Sequence, residues 1–147
     1  MFRSILVPVD GSEHARKALL IAQRLIDPAT GKIHLLNVAE PPPADDVIGR
    51  ATGASPMHMR PEDYENVARE LLCGERDRAG LPEDVAEIVV RTGQPAKAIL
   101  AEADRLGVDA VVMGSRGMSD WKGLMMGSVS HKVSHLANCT VLTVHSG

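Results

Sequence analysis

The chain has 147 residues, enough for one domain with a sizeable core, and its 44% hydrophobic and 24% charged residues are the mixture of a soluble globular protein rather than a disordered one. Lys+Arg is 16 and Asp+Glu is 19, for a net charge of −3, which argues against a sequence-independent nucleic-acid binder with its basic face. Aromatics are only 2% (Phe2, Tyr64 and Trp121), so stacking platforms for single strands are absent and the core falls to Val, Leu, Ile, Ala and Met.

The elements follow in chain order. Ser4 to Val9 is a short apolar run that ends at Asp10-Gly11-Ser12, which is turn and helix-start chemistry. From Ser12, apolar residues recur at Ala15, Ala18, Leu19, Ala22, Leu25 and Ile26, the spacing of a helix with one buried face, and Pro28 and Gly31 end it. Ile33 to Val38 is a second buried strand. Pro41-Pro42-Pro43 then opens a polar stretch to about Arg60, the only long irregular segment, of the kind that is functional or mobile in compact domains. Pro61 begins a second helix with Tyr64, Val67, Ala68, Leu71 and Leu72 on one face, stopped by Gly80 and Pro82. Val85 to Val90 is a third strand. Gln94-Pro95 starts a third helix with the stripe Ile99, Leu100, Ala103 and Leu106, closed by Gly107. Asp109 to Met113 is a fourth strand, Gly114 to Met126 a glycine-bearing loop, and Gly127-Ser128 opens a fourth helix with Val129, Val133 and Leu136. Cys139 to Val144 is a fifth strand. The order βαβαβαβαβ, with continuous apolar strands, predicts a single α/β domain over 1–147: a parallel sheet covered by helices on both faces. Pro8 is a blemish in a central strand, and belongs near its carboxyl end, where the ladder opens.

In such a sheet, ligands bind beyond the carboxyl ends of the strands, where the winding reverses. The turn after the fourth strand is the richest: Met113-Gly114-Ser115-Arg116-Gly117, nine residues, then Gly127-Ser128-Val129-Ser130. Gly114 and Gly117 let the main chain turn sharply and approach a ligand. Arg116 offers a fixed positive charge. Gly127 and Ser128 stand at a helix start, where N–H groups and the helix dipole favour an anion, and Ser128 and Ser130 add hydroxyl donors. Together these make a polyphosphate cradle; the bland alternative is a tight turn with an ordinary Ser N-cap. There is no G-x-x-x-x-G-K-S/T and no G-x-G-x-x-G after the first strand, so P-loop and dinucleotide fingerprints are missing. Asp10 repels phosphate but suits a hydroxyl or amino group, which puts a nucleoside near Asp10 and phosphates near Gly117 and Gly127.

At these positions the chain resembles the universal stress protein family, essentially end to end. The resemblance covers Ile5 to Ser12, Gly93-Gln94-Pro95, and Met113 to Gly117 through Gly127 to Ser130 as far as Cys139 to Val144. The pattern G-x2-G-x9-G-S/T, which marks the family's ATP-binding branch, is filled by Gly114, Gly117, Gly127 and Ser128. The resemblance implies a Rossmann-like sheet in the order 3-2-1-4-5, reversing between strands one and four. It implies that Pro8, Val9 and Asp10 hold adenine and ribose, that Val38 meets adenine through its main chain, and that Met113 and Gly114 line the ribose and first phosphates. Arg116, Gly117, Gly127, Ser128 and Val129 then surround the phosphates of ATP, and the last strand, Cys139 to Val144, pairs two copies as a homodimer. Thr140 stands where the family often has Pro, and Trp121 in the glycine loop and the segment 41–60 have no counterpart in the family pattern.

The remaining candidates have plainer readings. His131 and His135, four apart on a helix, have the spacing to share a metal, but no Glu follows His131 and no third ligand is evident, so they read as solvent-facing. Cys139 reads as a small buried residue and Cys73 has no role; two cysteines make no disulfide framework. Glu40, Asp45 and Asp46 have the chemistry to hold Mg2+ beside the phosphates, or to be plain loop solvation. No stretch reads as a leader, and the run Ile5 to Val9 is too short to span a bilayer, so a cytoplasmic protein is expected, with no membrane or nucleic-acid partner. The function expected is a nucleotide-binding regulatory module of the stress response. The alternatives are a slow ATP hydrolase or phosphotransferase, for which no general base follows from the spacing, and an interaction module that holds AMP, cyclic AMP or no nucleotide.

Overall fold

The apolar runs form five parallel strands in a computed structural model that describes residues 1–39, 61–115 and 127–145. They are β1 (Ser4–Pro8), β2 (Lys32–Ala39), β3 (Ala86–Thr92), β4 (Ala110–Gly114) and β5 (Thr140–Val144). The helices among the described residues are α1 (Glu13–Leu25), α2 (Pro61–Arg78), α3 (Pro95–Leu106) and α4 (Ser128–Leu136). The sheet order is β3-β2-β1-β4-β5, and every pairing is parallel. The expected fold class and strand order are those found.

Local chemistry sets the helix ends. The Ser12 hydroxyl accepts from the Ala15 N–H at 3.2 Å and caps α1, with Glu13 in its first turn and Arg24 in its last, as the helix dipole favours. Alanines at 15, 18 and 22 with Leu19 form the buried stripe, and the small side chains let the helix lie close on the sheet. Gly107 closes α3 at φ 62, a left-handed conformation that suits glycine, and donates back to Ala103 and Asp104. The first helix ends earlier than its prolines and glycines suggest: Ile26 is already extended and bridges to Phe2.

The two faces of the sheet carry separate cores. Ile5, Val7, Ile33 and Leu35 pack with Leu19 of α1 and Leu72 of α2 on one face. Leu6, Leu36, Val89 and Val111 pack with Ile99 of α3 and Val133 of α4 on the other. Thus the crossovers from β1 to β2 and β2 to β3 run over one face, and those from β3 to β4 and β4 to β5 over the opposite face. With right-handed crossovers this moves the chain outward from β1 in one direction, then back across it in the other. The reversal falls between β1 and β4.

Buried charge ties the layers together. The Arg16 Nε of α1 donates to both carboxylate oxygens of Glu75 of α2 at 3.1 Å, and Gln23 donates to the Ala79 carbonyl at 2.8 Å. On the other face Glu102 of α3 accepts from Arg91 of β3 at 2.6 Å and from Arg105 at 2.8 Å. The Arg105 hydrogen bond, followed by that of Arg91, holds the Glu102 carboxyl below its ordinary value against the opposing effect of burial. Two residues expected on core faces lie outside: Val67 is 55% and Leu136 64% exposed. The buried line of α2 runs through Ala68, Leu72 and Glu75, which turns Val67 to solvent, and Leu136 is the last residue of α4.

Candidate functional site

The sheet parts where its winding reverses. The β1–β2 ladder runs to Pro8↔Leu36, and the Val9 N–H still donates to the Leu36 carbonyl at 2.7 Å. The β4–β5 ladder runs to Gly114↔Val144. Between them, β1 and β4 pair only at Ile5↔Ala110 and Leu6↔Val111. Pro8 supplies the reason. The Ser4 carbonyl accepts from Asp109, so alternation turns the main-chain groups of Ser4, Leu6 and Pro8 toward β4. Pro8 has no N–H to give on that side, and the ladder stops one step before it. Beyond Leu6↔Val111 the carboxyl ends of β1 and β4 are unpaired, at the switch point where such sheets form a crevice.

The lip formed after β1 is a tight turn. Gly11 has φ 85, and the Asp10 carboxylate accepts from the Ser12 N–H at 2.9 Å, so the acidic side chain is fixed by the same turn that starts α1. The Asn37 side-chain amide donates to the Val9 carbonyl at 2.8 Å. Along β2, the Leu36 carbonyl faces β1, so Val38, two residues on, aims its main-chain N–H and C=O to the same side, above the end of β1.

The lip formed after β4 is built on Ser115, which is 1% exposed. Its N–H donates to Val144 at 2.9 Å, and its carbonyl accepts from the Gly127 N–H at 2.6 Å and the Ser130 hydroxyl at 2.8 Å. The chain therefore leaves at Ser115 and returns at Gly127 through one hydrogen-bonded junction. Gly127 is the N-cap of α4 and Ser128 its first residue, so the ordinary Ser N-cap at 128 is not what forms. The first N–H groups of α4 have no acceptor within the helix and point out of its start, at the β4 side of the crevice. Ser130 departs from expectation: its hydroxyl donates to the Ser115 and Gly127 carbonyls at 2.8 and 3.0 Å and is buried, so it frames the junction instead of offering a donor to a ligand.

Pro8, Val9, Asp10, Val38, Met113, Gly114, Gly127, Ser128 and Val129 are thus carried by chain segments that meet at one end of the sheet. Arg116, Gly117, Trp121, Glu40, Asp45, Asp46 and the rest of segment 41–60 lie outside the described residues. Sequence reading missed Asn37 and Ser115 as supports. A lone amide in the apolar strand Leu35 to Val38 was the available signal for the first; the second had none. Cys139 is half-buried, and burial, helped by the charge of Asp104, pushes its thiol up, away from reactivity. No helix among the described residues is long and apolar enough to cross a membrane, and no group of three or more His, Cys, Asp or Glu gathers there for a metal.

A doubly wound sheet whose ladder ends early at its switch point, with an acidic turn on one side and a helix start on the other, defines the chain as an α/β protein of the doubly wound class. The chain belongs to the universal stress protein family, whose profile matches residues 1–145. It is 37% identical over 149 aligned positions to universal stress protein YxiE of Bacillus subtilis, covering 98% of this chain and 99% of that one. It is 43% identical to a universal stress protein of Methanothermobacter thermautotrophicus, covering 99% and 97%. Among solved structures, that of hypothetical protein MJ0577 superposes with a TM-score of 0.78 at 25% identity, covering 100% of this chain and 98% of that one. Universal stress proteins described as complexes with cAMP, and with dAMP in the Archaeoglobus fulgidus protein, superpose with TM-scores of 0.63 and 0.64. At 22% identity each, these two show the shared fold; they cover 99% and 96% of this chain, and 98% and 96% of the other.

Proposed function

We propose that this universal stress protein binds an adenine nucleotide, ATP with Mg2+, across the parting of β1 and β4, and acts as a nucleotide-dependent regulatory module of the stress response in the cytoplasm. The observation that carries the reading is the ladder between β1 and β4, which ends at Leu6↔Val111 while its neighbours continue. In this reading Pro8, Val9 and Asp10 meet the nucleoside, with Asp10 accepting from a ribose hydroxyl and the Val38 main chain meeting the base. Met113 and Gly114 flank the ribose and first phosphate. The N–H groups of Ser128 and Val129 meet the phosphates, with Gly127 close by and Arg116 and Gly117 supplied from the chain between. Ser130 acts through the junction it braces. Mg2+ is held by the phosphates and water, in keeping with its reluctance to shed its shell. The complexes of related folds with cAMP and dAMP support the adenine class. The reading is one of binding, and turnover of ATP is not part of it.

Two copies pair through β5. Thr140 to Thr143 carry no charge, and pairing two such edges satisfies their main chains with two-fold symmetry.

Calorimetry with MgATP, AMP and cyclic AMP tests the reading, with thermal unfolding as an independent readout. Saturable binding is expected, with stability raised by about 2.7 kcal/mol at a hundred times Kd. Asp10→Ala should weaken binding by about 10- to 100-fold, the loss of one charge-assisted hydrogen bond. No heat and no shift in Tm at millimolar ATP would overturn it.

A further inference from the structure

Helix α4 carries two histidines that the nucleotide reading does not use. His131 and His135 stand one helical turn apart and both are exposed. Their ring centres are 4.6 Å apart with the planes at 86°. Among the described residues neither ring has another hydrogen-bond or ion-pair partner. Helix geometry thus sets two imidazoles side by side on one spot of the surface.

The separation lies in the range that two imidazoles span on one ion. With metal–nitrogen bonds of about 2.0 Å, two imidazoles held cis on one ion have ring centres about 4.4 Å apart at a right angle and about 5.1 Å at the tetrahedral angle. The 4.6 Å observed falls between the two. The frame beneath is fixed: Val133 is 0% and Ser130 2% exposed, which seats the opposite side of α4 on the sheet. The pair is thus presented by a rigid helix, and only side-chain rotation is needed to aim both ring nitrogens at one ion.

We infer that His131 and His135 form a bidentate site for a divalent first-row transition-metal ion. Imidazole suits Zn2+, Ni2+ and Cu2+, with Cu2+ the tightest of the three. Among the described residues no third protein donor joins the pair, and two imidazoles leave positions on the ion open to water. Such an open site exchanges its ion, unlike a closed structural zinc site. The ion bridges one turn of α4 and favours the folded helix, so binding adds to stability.

The test uses the full chain without nucleotide in a buffer that does not bind metals. Zn2+ and Ni2+ are titrated by calorimetry, and the histidine ring resonances are followed by NMR during the Zn2+ titration. One ion per chain is expected, with the His131 and His135 signals moving together. His131→Ala and His135→Ala should each weaken binding about tenfold or more, since each donor supplies part of the bond energy. Both positions are exposed and Ala favours helix, so Tm without metal should hold. Absence of saturable binding at millimolar metal would overturn the inference. So would retention of the ion by the double variant, loss in only one single variant, or movement confined to the rings of other histidines.

Discussion

Pro8 shows how much one residue sets. Its missing N–H lies on the side of β1 that faces β4, where the ladder ends, while the β2 side continues through Val9. Pro8→Ala restores a donor facing β4 at little steric cost. Hydrogen exchange should then show a protected amide at position 8, the parting should narrow, and ATP affinity should fall with stability held or slightly raised. His34 sets a second residue-scale property. It is 8% exposed on β2, opposite Glu87 of β3, with Nδ1 3.3 Å from that carboxylate. Burial holds the imidazole below its ordinary value of 6.5, opposed by the nearby Glu87 carboxylate and aided by Arg105 and Lys32. The folded protein then binds fewer protons at this site than the unfolded chain. Its stability is therefore full above the unfolded value and falls as pH drops below it. The lowered Glu102 carboxyl acts in the same direction at more acid pH, because its stabilisation is lost as the carboxylate takes up a proton. Urea midpoints measured from pH 8 down to about 3 should decline for the parent. His34→Leu should flatten the upper part of that decline and leave the lower part.

At the scale of elements, the two edges of the sheet differ. On β3, the Val85 carbonyl faces β2, so Ala86, Ile88 and Val90 turn their carbonyls outward. Arginines cover two of these: Arg91 donates to Val90 at 2.8 Å and Arg76 to Ala86 at 3.4 Å. Exposed Glu87 and Arg91 add charge to that edge, which opposes pairing with another chain. Thr140 to Thr143 of β5 carry no charge of their own to oppose such pairing. Light scattering should therefore find a dimer for the parent. The Arg76→Ala/Arg91→Ala double variant should give larger assemblies at tens of micromolar, because its second edge is uncovered. A double variant of the same size as the parent would show that the guanidiniums do not guard the edge. The strands themselves were legible in the sequence, because fully buried parallel strands read as unbroken apolar runs such as Ile5 to Val7. Helix faces were less so. Glu75 occupies a core-facing position on α2 because Arg16, 59 residues away, supplies its charge, and no local pattern announces a distant partner. The switch point between β1 and β4 was legible through the order of the elements, whereas the bonds from the Ser130 hydroxyl to Ser115 and Gly127 were not, because those acceptors come together only in the folded turn.

For the whole molecule, the winding decides where chemistry can occur. Helices α1 and α2 cover one face and α3 and α4 the other, so the chain must cross β1 and open a gap on its far side. The acidic turn at Asp10 and the start of α4 at Gly127 come from chain segments far apart in sequence, and the reversal alone brings them to the same end of the sheet. The most direct test is a crystal structure of the protein grown with MgATP. Nucleotide density is expected between the carboxyl ends of β1 and β4, with the ribose against Asp10 and the phosphates at the start of α4. Nucleotide bound elsewhere, or an empty crevice at millimolar ATP, would contradict the account.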